Sequence, residues 1–580
     1  MQLAREKADV LAIDPITLEV IHRGLVSITN QIDANIKRTA FSPYIYEYND
    51  FAVGLTDAGG QLVAQCTGGM PPFVADSVGT AVRDGLKVYG SARLHHGDVV
   101  VCNHAAVQGQ HLNNTVMYTP IRIPNAGDAS GRLIGFFAIN VHWIEIGGSV
   151  PRSSDIFMEG LQLRSIKLQS KGEPIEEVYR IIENNSRQPT ELMGDIAAQL
   201  AGCLLGRDLT IELARKYGAE IFLRAVDAVL DRSEAAARAF IRSMPDGIYS
   251  AESFLDNDRS GDEPLPIRVK VIVNEDELTV DYTDIADQVQ GPINSGYFGG
   301  GLTTARVAFK YLMGADEMAN EGTFRPLKLI LPAGKILSAE PTAPMGNYST
   351  PFPTVIDTVI RALAQALPER VPGSHFGTHS GVRFYGTRPD GSFFGTHDSG
   401  HGGWGASPTH DGSGPYRTMA HGDTRIIPLE LQEAVLPIRI EEFALREDSA
   451  GAGTFRGGLG FRKVYRILGP CMLQTNLDRT KFPPLGVYGG APATPGRFTL
   501  IDAVTSERRS IDKENGLALK PGDLVCIETG GGGGYGPPGK RALATIQRDL
   551  DAGYVSTAAA ERDYAVRVGA NGRARWSDSE

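Results

Sequence analysis

Two histidines, His111 and His142, lie where strand-like segments meet turns, in GDVVVCNHAAVQGQHLNNTVMYTPI and LIGFFAINVHWIEIGG. Asn114 follows His111 by three residues, and an acidic hairpin upstream (YEYND) supplies Asp50. Imidazole nitrogen with carboxylate oxygen is the donor set of a mixed site for Zn, Mn or Fe, with a position left open for water. Asn114 could add an amide oxygen or orient a ligand. His104 in the same loop and Glu145, three residues past His142, are candidates for general acid–base work if they reach the reacting proton. The competing interpretation is two buried histidines hydrogen-bonded inside a sheet, with Glu145 a surface or supporting carboxylate.

A second histidine group comprises His375, His379, His397, His401 and His410. Two of its pairs are four residues apart, but SHFGTHSG and GTHDSGHGG hold too much glycine to form a helix, so that spacing loses its meaning. These residues read as solvent-facing loop histidines, or as loop-borne histidines near a binding cleft, for instance on a flexible lid over a substrate. In PLELQEAVLP, Glu430 and Glu433 could bind a cation or an amine, or simply pair with Arg425 or Arg439. Nucleotide motifs fail: GPPGK lacks the Walker pattern, and no GxGxxG follows a first strand. GYFGGG could present amides to an anion, although close backbone packing explains it as well. No Gly-x-Ser-x-Gly elbow or readable cysteine nucleophile is present.

The elements that must position these groups are best signalled early in the chain. Asp14 is a plausible N-cap and Pro15 a first helical residue. Leu18, Ile21, Leu25, Ile28, Ile32 and Ile36 then recur at helical spacing, up to Pro43. FAVGLTDAGGQLVAQ predicts two short strands around a turn at 57–60, and a helix over about 73–89 leads into the strand GDVVVCN. Residues 134–143 read as a strand buried on both faces. Residues 174–243 read as helical, opened by Pro174, and IRVKVIVNEDELTVDYTDI as a hairpin. Further helices are expected over 302–313 and 354–367, then short strands with Gly/Pro turns.

The resulting fold class is α+β and multi-lobed. An N-terminal metal-bearing α/β lobe spans 1–170, a helical segment 171–245, a Gly-rich, β-rich lobe 246–540, and a C-terminal helix and tail 541–580. A chain of 580 residues is too long for one compact core. A formal charge of −11 without a basic run argues against a nucleic-acid partner. Five scattered cysteines without a CxxC pair read as reduced thiols, and no segment has the pattern of a signal peptide or membrane span. The expected location is the cytoplasm. Trp143, Phe73, Tyr297 and Trp404 could line an apolar pocket, although core packing is the commoner role.

The order of segments resembles the hydantoinase B / 5-oxoprolinase family over about residues 12–540. The likeness rests on DPITLEVIHRGL, YEYNDFAVGLTDAGGQLVAQ, the His111 and His142 segments, GPINSGYFGGG, EEFALREDSAGAGTFRGGLGF and ETGGGGGYGPP. It implies a divalent metal on Asp50, His111 and His142, with Asn114 at the place of a family aspartate. His104 likewise stands where the family has Asp after Asn. Loss of one anionic ligand is expected to weaken metal binding or to change the metal preferred.

By the same resemblance, a larger partner, a hydantoinase A-type ATPase subunit, uses ATP to phosphorylate a cyclic amide. This chain, in a hetero-oligomer and without binding ATP itself, would hydrolyse the activated ring, with His104 or Glu145 handling protons. The alternatives are a subunit of an ATP-dependent ketone (acetone- or acetophenone-type) carboxylase, or a non-catalytic scaffold subunit.

Overall fold

The computed structural model describes residues 13–125, 128–149, 153–314 and 318–577. Helix Pro15–Thr39 begins as the sequence predicts, with the Asp14 carboxylate accepting the Thr17 N–H at 2.8 Å. Its stripe of Ile21, Leu25, Ile28, Ile32 and Ile36 is buried. It packs with helix Pro189–Tyr217 behind a seven-stranded sheet of order β2-β1-β5-β4-β3-β6-β7. In chain order these strands are β1 Phe51–Asp57, β2 Leu62–Gln65, β3 Val99–Cys102, β4 Asn114–Asn125, β5 Asp128–His142, β6 Ile166–Ser170 and β7 Glu173–Pro174. Pro174 therefore ends a strand; the helix expected from it starts at Glu176.

Helices Glu176–Asn184, Pro189–Tyr217 and Ala219–Ile241 are the predicted helical segment. They share one buried core with the first sheet, so hydrophobic packing does not part at 170 or 245. That core continues into a second sheet, β11-β10-β9-β8, made of β8 Gly247–Leu255, β9 Leu265–Asn274, β10 Glu277–Asp281 and β11 Leu327–Ile330. Helix Phe352–Ala362 packs on β8 and β9.

Two further sheets share a second core, which includes Val382, Phe384, Phe461, Tyr465 and Leu473. Their strands are β12 Gly381–Thr387, β13 Phe393–Ser399, β14 Ile438–Leu445, β15 Phe461–Ile467, β16 Cys471–Asn476, β17 Arg497–Ile501, β18 Arg508–Ser510, β19 Asn515–Leu519 and β20 Leu524–Glu528. The orders are β13-β12-β16-β19 and β14-β15-β20-β17-β18. The C-terminal segment, expected as a helix and loose tail, is instead two helices, Leu543–Asp551 and Thr557–Tyr564, and a hairpin of β21 Val566–Val568 and β22 Ala574–Trp576. It has a small core of its own around Ile546, Ala560 and Tyr564.

The late glycines serve close backbone approach more than turns. A Cβ at Gly532 would lie 2.0 Å from the Trp404 carbonyl oxygen, and one at Gly533 the same distance from that of Leu485. The GYFGGG segment packs in the same way, because a Cβ at Gly299 would meet the Gln108 carbonyl oxygen at 2.3 Å. All five cysteines are free and buried. Among the described residues, no helix is long and apolar enough to cross a membrane.

Close helix–sheet packing gives a test. Intrinsic helix propensity favours Ala over Gly by about 1 kcal/mol, yet a Cβ at Gly206 would lie 2.3 Å from the Phe137 ring. Gly206→Ala is expected to lose about 1–3 kcal/mol net through overpacking, read as a lower urea midpoint. A midpoint that rises would show that the sheet yields here.

Candidate functional site

Three adjacent strands carry the candidate ligands side by side. In the β4–β5 ladder Asn114 pairs with His142, and in the β1–β5 ladder Phe51 pairs with Val141. The ladder extends one step, with the His142 N–H donating to the Asp50 carbonyl at 3.1 Å, so Asp50 stands beside His142. His111 arrives from the tight loop before β4, and its ring centroid lies 4.9 Å from that of His142. The four residues named from the sequence thus converge.

Asn114 is the hub. Its amide nitrogen donates to Gln110 Oε1 and to the Tyr348 hydroxyl, both at 2.9 Å. This commitment turns Oδ1 toward both imidazoles, 2.8 Å from His111 Nε2 and 3.2 Å from His142 Nδ1. His111 Nδ1 in turn lies 3.3 Å from the Gly346 carbonyl oxygen. Burial holds His111 below the ordinary histidine range, and the hydrogen bonds to Asn114 and Gly346 oppose that shift. A neutral ring carries one N–H, yet both of its nitrogens face oxygen acceptors. One nitrogen lone pair is therefore left facing oxygen, the arrangement that a cation between them would resolve.

Asp50 points the same way. Its Oδ2 is 3.7 Å from His142 Nδ1, while its buried Oδ1 has no hydrogen-bond partner. Burial pushes its carboxyl up to about 7, opposed by the positive charge of Arg417. His142 is held well below the usual range by burial first, then by the fields of His111, His397 and Arg383.

The donor set fits a divalent ion, because ligand atoms around a centre with bonds of about 2.0–2.2 Å are spaced by roughly 3.0–3.5 Å. It does so only if the Asn114 amide is counted. Among the described residues, no group of three or more His, Cys, Asp or Glu side chains has the geometry to hold a metal by itself.

The cluster opens into a cavity of about 410 Å³, a volume suited to a small organic molecule. Its far wall comes from the second core. Arg383 on β12 lies directly across from His397 on β13 and from Gln474 on β16. His379 and His421 complete the wall, with ring centroids 4.1 Å apart. Tyr48 joins the two walls, its hydroxyl donating to Ser399 Oγ at 2.9 Å and accepting from Arg417.

Several expectations are corrected. His379 and His397 line the cavity, as the binding-cleft alternative expects, rather than facing solvent, and His375 and His401 are buried as well. Burial draws His379 down to about 3 and His397 to about 4, so both rings are neutral near pH 7. The glycines flanking them pack against neighbouring strands and leave no loose lid. Of this group, only His410 is exposed.

His104 is not among the cavity-lining residues. Its Nδ1 accepts the Ala106 N–H at 3.2 Å and caps the turn Ala105–Gln108, because the chain leaves β3 there and only returns to the cavity at His111. Glu145 does line the cavity, but its Oε1 accepts from Arg187 Nη2 at 2.5 Å, Arg187 Nε at 3.0 Å and the Gly147 N–H at 2.9 Å. It anchors Arg187 and a loop, which leaves little of it for proton transfer. Trp143 and Phe73 are core residues, Tyr297 borders a separate groove and Trp404 stacks on His375. The aromatic lining is instead Tyr44, Tyr48, Tyr348, Tyr385 and Phe393. Glu433 accepts the Ile440 N–H at 2.6 Å, an anchoring role outside the cavity.

The sequence reading missed Arg383, His421, Tyr348 and Gln474. Arg383 and Tyr385 alternate on one strand face, a visible pattern, but nothing local says which cavity that face borders.

The raised Asp50 carboxyl sets a pH dependence. Since the folded state binds this proton more tightly than the unfolded chain, acidification from about pH 7 toward 4 stabilises the metal-free protein. At neutral pH the buried charge costs up to about 4 kcal/mol. Metal-free Asp50→Asn is therefore expected to melt higher than wild type at pH 7–8, with the difference vanishing near pH 4. Equal melting temperatures across that range would contradict the buried, unpartnered carboxylate.

Comparisons with known proteins bear on the family and the fold. The family described as Hydantoinase B/oxoprolinase matches residues 14–538. The chain is 30% identical to the beta subunit of the caprolactamase of Pseudomonas jessenii over 97% of each chain. It is 27% identical to one subunit of a putative D-/L-hydantoinase of Pseudomonas sp. (strain NS671), over 98% of this chain and 97% of that one. The crystal structure of the ATP-dependent caprolactamase from Pseudomonas jessenii aligns with a TM-score of 0.87 at 28% identity, covering 97% of this chain and 98% of that one. A nucleotide-free acetone carboxylase also aligns at 0.87, but at 18% identity over 97% of this chain and 81% of that one, which is a likeness of fold. With its length matched almost throughout and its strands arranged as in a solved relative, this chain belongs to the Hydantoinase B/oxoprolinase family.

Proposed function

We propose that this chain is the metal-dependent subunit of an ATP-dependent cyclic-amide hydrolase. A hydantoinase A-type partner would bind ATP and phosphorylate the ring carbonyl; this chain would open the activated ring in its cavity. The observation that carries the reading is the convergence of His111, His142 and the Asn114 oxygen beside the cavity, with the Asp50 carboxylate next to His142. The hydantoinase and caprolactamase relatives are named as subunits, which supports a partner, and the solved caprolactamase is ATP-dependent, which supports the use of ATP.

Asp50, His111 and His142 would hold a divalent Zn, Mn or Fe ion, with Asn114 as a weak ligand. Such an ion supplies Lewis-acid polarisation and lowers the pKa of water. The chain's own residues prepare that centre. The Gly346 carbonyl orients His111 through Nδ1, the outer contact that fixes a ligating imidazole. Glu159 fixes Gly346, its Oε1 accepting the N–H groups of Met345 and Gly346 at 2.7 Å each. Tyr348 and Gln110 hold the Asn114 amide with its oxygen inward. His379, His397 and His421, all neutral, present imidazole nitrogens to the cavity as hydrogen-bonding groups.

Two measurements test this. The purified protein should contain divalent metal by elemental analysis, with metal content at least about tenfold lower in His111→Ala and His142→Ala. The pair reconstituted with its ATPase should lose cyclic-amide hydrolysis in the same variants. Full activity of His111→Ala would make the chain a scaffold, and entry of labelled bicarbonate into a carboxylate product would place it in a carboxylase. Asn114→Asp, which restores an anionic oxygen, is expected to retain metal against a chelator at least about tenfold more tightly, since added ligand charge raises cation affinity. Unchanged retention would remove Asn114 from the ligand set.

A further inference from the structure

Arg383 is a cation for which the described part of the protein provides no carboxylate. It lines the cavity from the middle of β12. Its Nε is buried without a hydrogen-bond partner, and its guanidinium carbon lies 5.9 Å from the Tyr385 ring centroid, its own strand neighbour on the same face. Asp50, in the same cavity, makes no ion pair with it, and two other acids are engaged elsewhere. Asp398 points to the opposite face of β13, where its Oδ2 takes Lys463 Nζ and the Tyr465 hydroxyl, each at 2.6 Å. Glu145, the carboxylate at the cavity edge, is bound to Arg187. The groups facing Arg383 are instead neutral and polar: His397 and Gln474 directly across on the two flanking strands, with Asn476 two residues along. Asn347, on the loop that forms another side of the same cavity, has a buried Nδ2 with no acceptor.

Arg383 is half-buried, with its Nε shielded from water, and a cation so placed without a carboxylate lacks part of its solvation until a ligand completes it. Planar guanidinium beside amide donors is a recognition set for an oxyanion, and for phosphate in particular. Arg383 also acts electrostatically on both His142 and His397, so its charge is felt at the candidate metal cluster as well as on its own wall. Resting on the function proposed above, we infer that Arg383, flanked by His397 and Gln474, is the residue that holds the phosphoryl group of the activated substrate. A phosphoryl oxyanion carries more than one negative charge, which a single carboxylate substituent does not. The two halves of the cavity then divide the work: the first sheet addresses the reacting carbon, and the β13-β12-β16 face addresses the leaving phosphate.

The probe is inorganic phosphate, added to the metal-depleted His111→Ala background so that no resident ion contributes to binding. Calorimetric titration and thermal melting are compared with and without Arg383→Met, which keeps an unbranched stem and removes the charge. Phosphate should bind the background and raise its melting temperature. Arg383→Met should weaken binding by about tenfold or more and abolish the thermal shift. Arg383→Lys, which keeps the charge but loses the planar fork, should fall between them; it also serves if the methionine variant fails to fold. Acetate, tested in parallel, should bind more weakly than phosphate. Equal phosphate binding with and without Arg383 overturns the assignment, as does a preference for acetate. Because the readout needs neither metal nor turnover, a failed metal site and a failed anion site give different results.

Discussion

The site depends on the register of one antiparallel ladder. Asp50, His142 and Asn114 stand in a row because β1, β5 and β4 are hydrogen-bonded neighbours in that order. A slip of one residue in β5 would turn His142 to the helical side and put Trp143 or Val141 in the cavity. The register is held from behind. Trp143 Nε1 donates to Gln199 Oε1 at 3.0 Å, and Gln199 Nε2 donates to the carbonyls of Thr115 and Ile139, one on each of β4 and β5. One helix side chain therefore clamps the two strands that carry Asn114 and His142.

This arrangement concentrates polar groups where the fold could not otherwise bury them cheaply. Neutral imidazoles, a carboxyl with a raised affinity for its proton, and an unpaired guanidinium share one cavity. Each is tolerable because the adjacent packing is so complete: Tyr48, Ser399 and Arg417 stitch the two cores together directly beneath the cavity. Sites of chemistry are where strained electrostatics of this kind collect.

The two positions expected to depart from the family pattern, Asn114 and His104, are accommodated locally. Asn114 keeps its oxygen inward because Tyr348 and Gln110 both accept from its nitrogen. His104 takes up a capping role, well served by a ring nitrogen that accepts a backbone N–H. These two positions differ in consequence: the first alters the charge of the candidate centre, the second leaves the cavity untouched.

The sequence alone was enough for the first helix, the hairpin of β1 and β2, the buried strand β5 and the nearness of His111, Asn114, His142 and Asp50. Those features rest on periodicity, caps and short-range turns, or on motifs that travel together along the chain. What it left open was the opposite wall. His379, His397, His421 and Arg383 lie more than 230 residues downstream of His142, in Gly-rich segments whose local pattern reads as loop. The same limit placed His104 at the site and hid the partner of Glu145, because Ala106 and Arg187 are revealed as their partners only by the folded geometry. Local propensity fixes elements, whereas the meeting of two sheets across a cavity is decided by burial and strand register, and these belong to the tertiary structure.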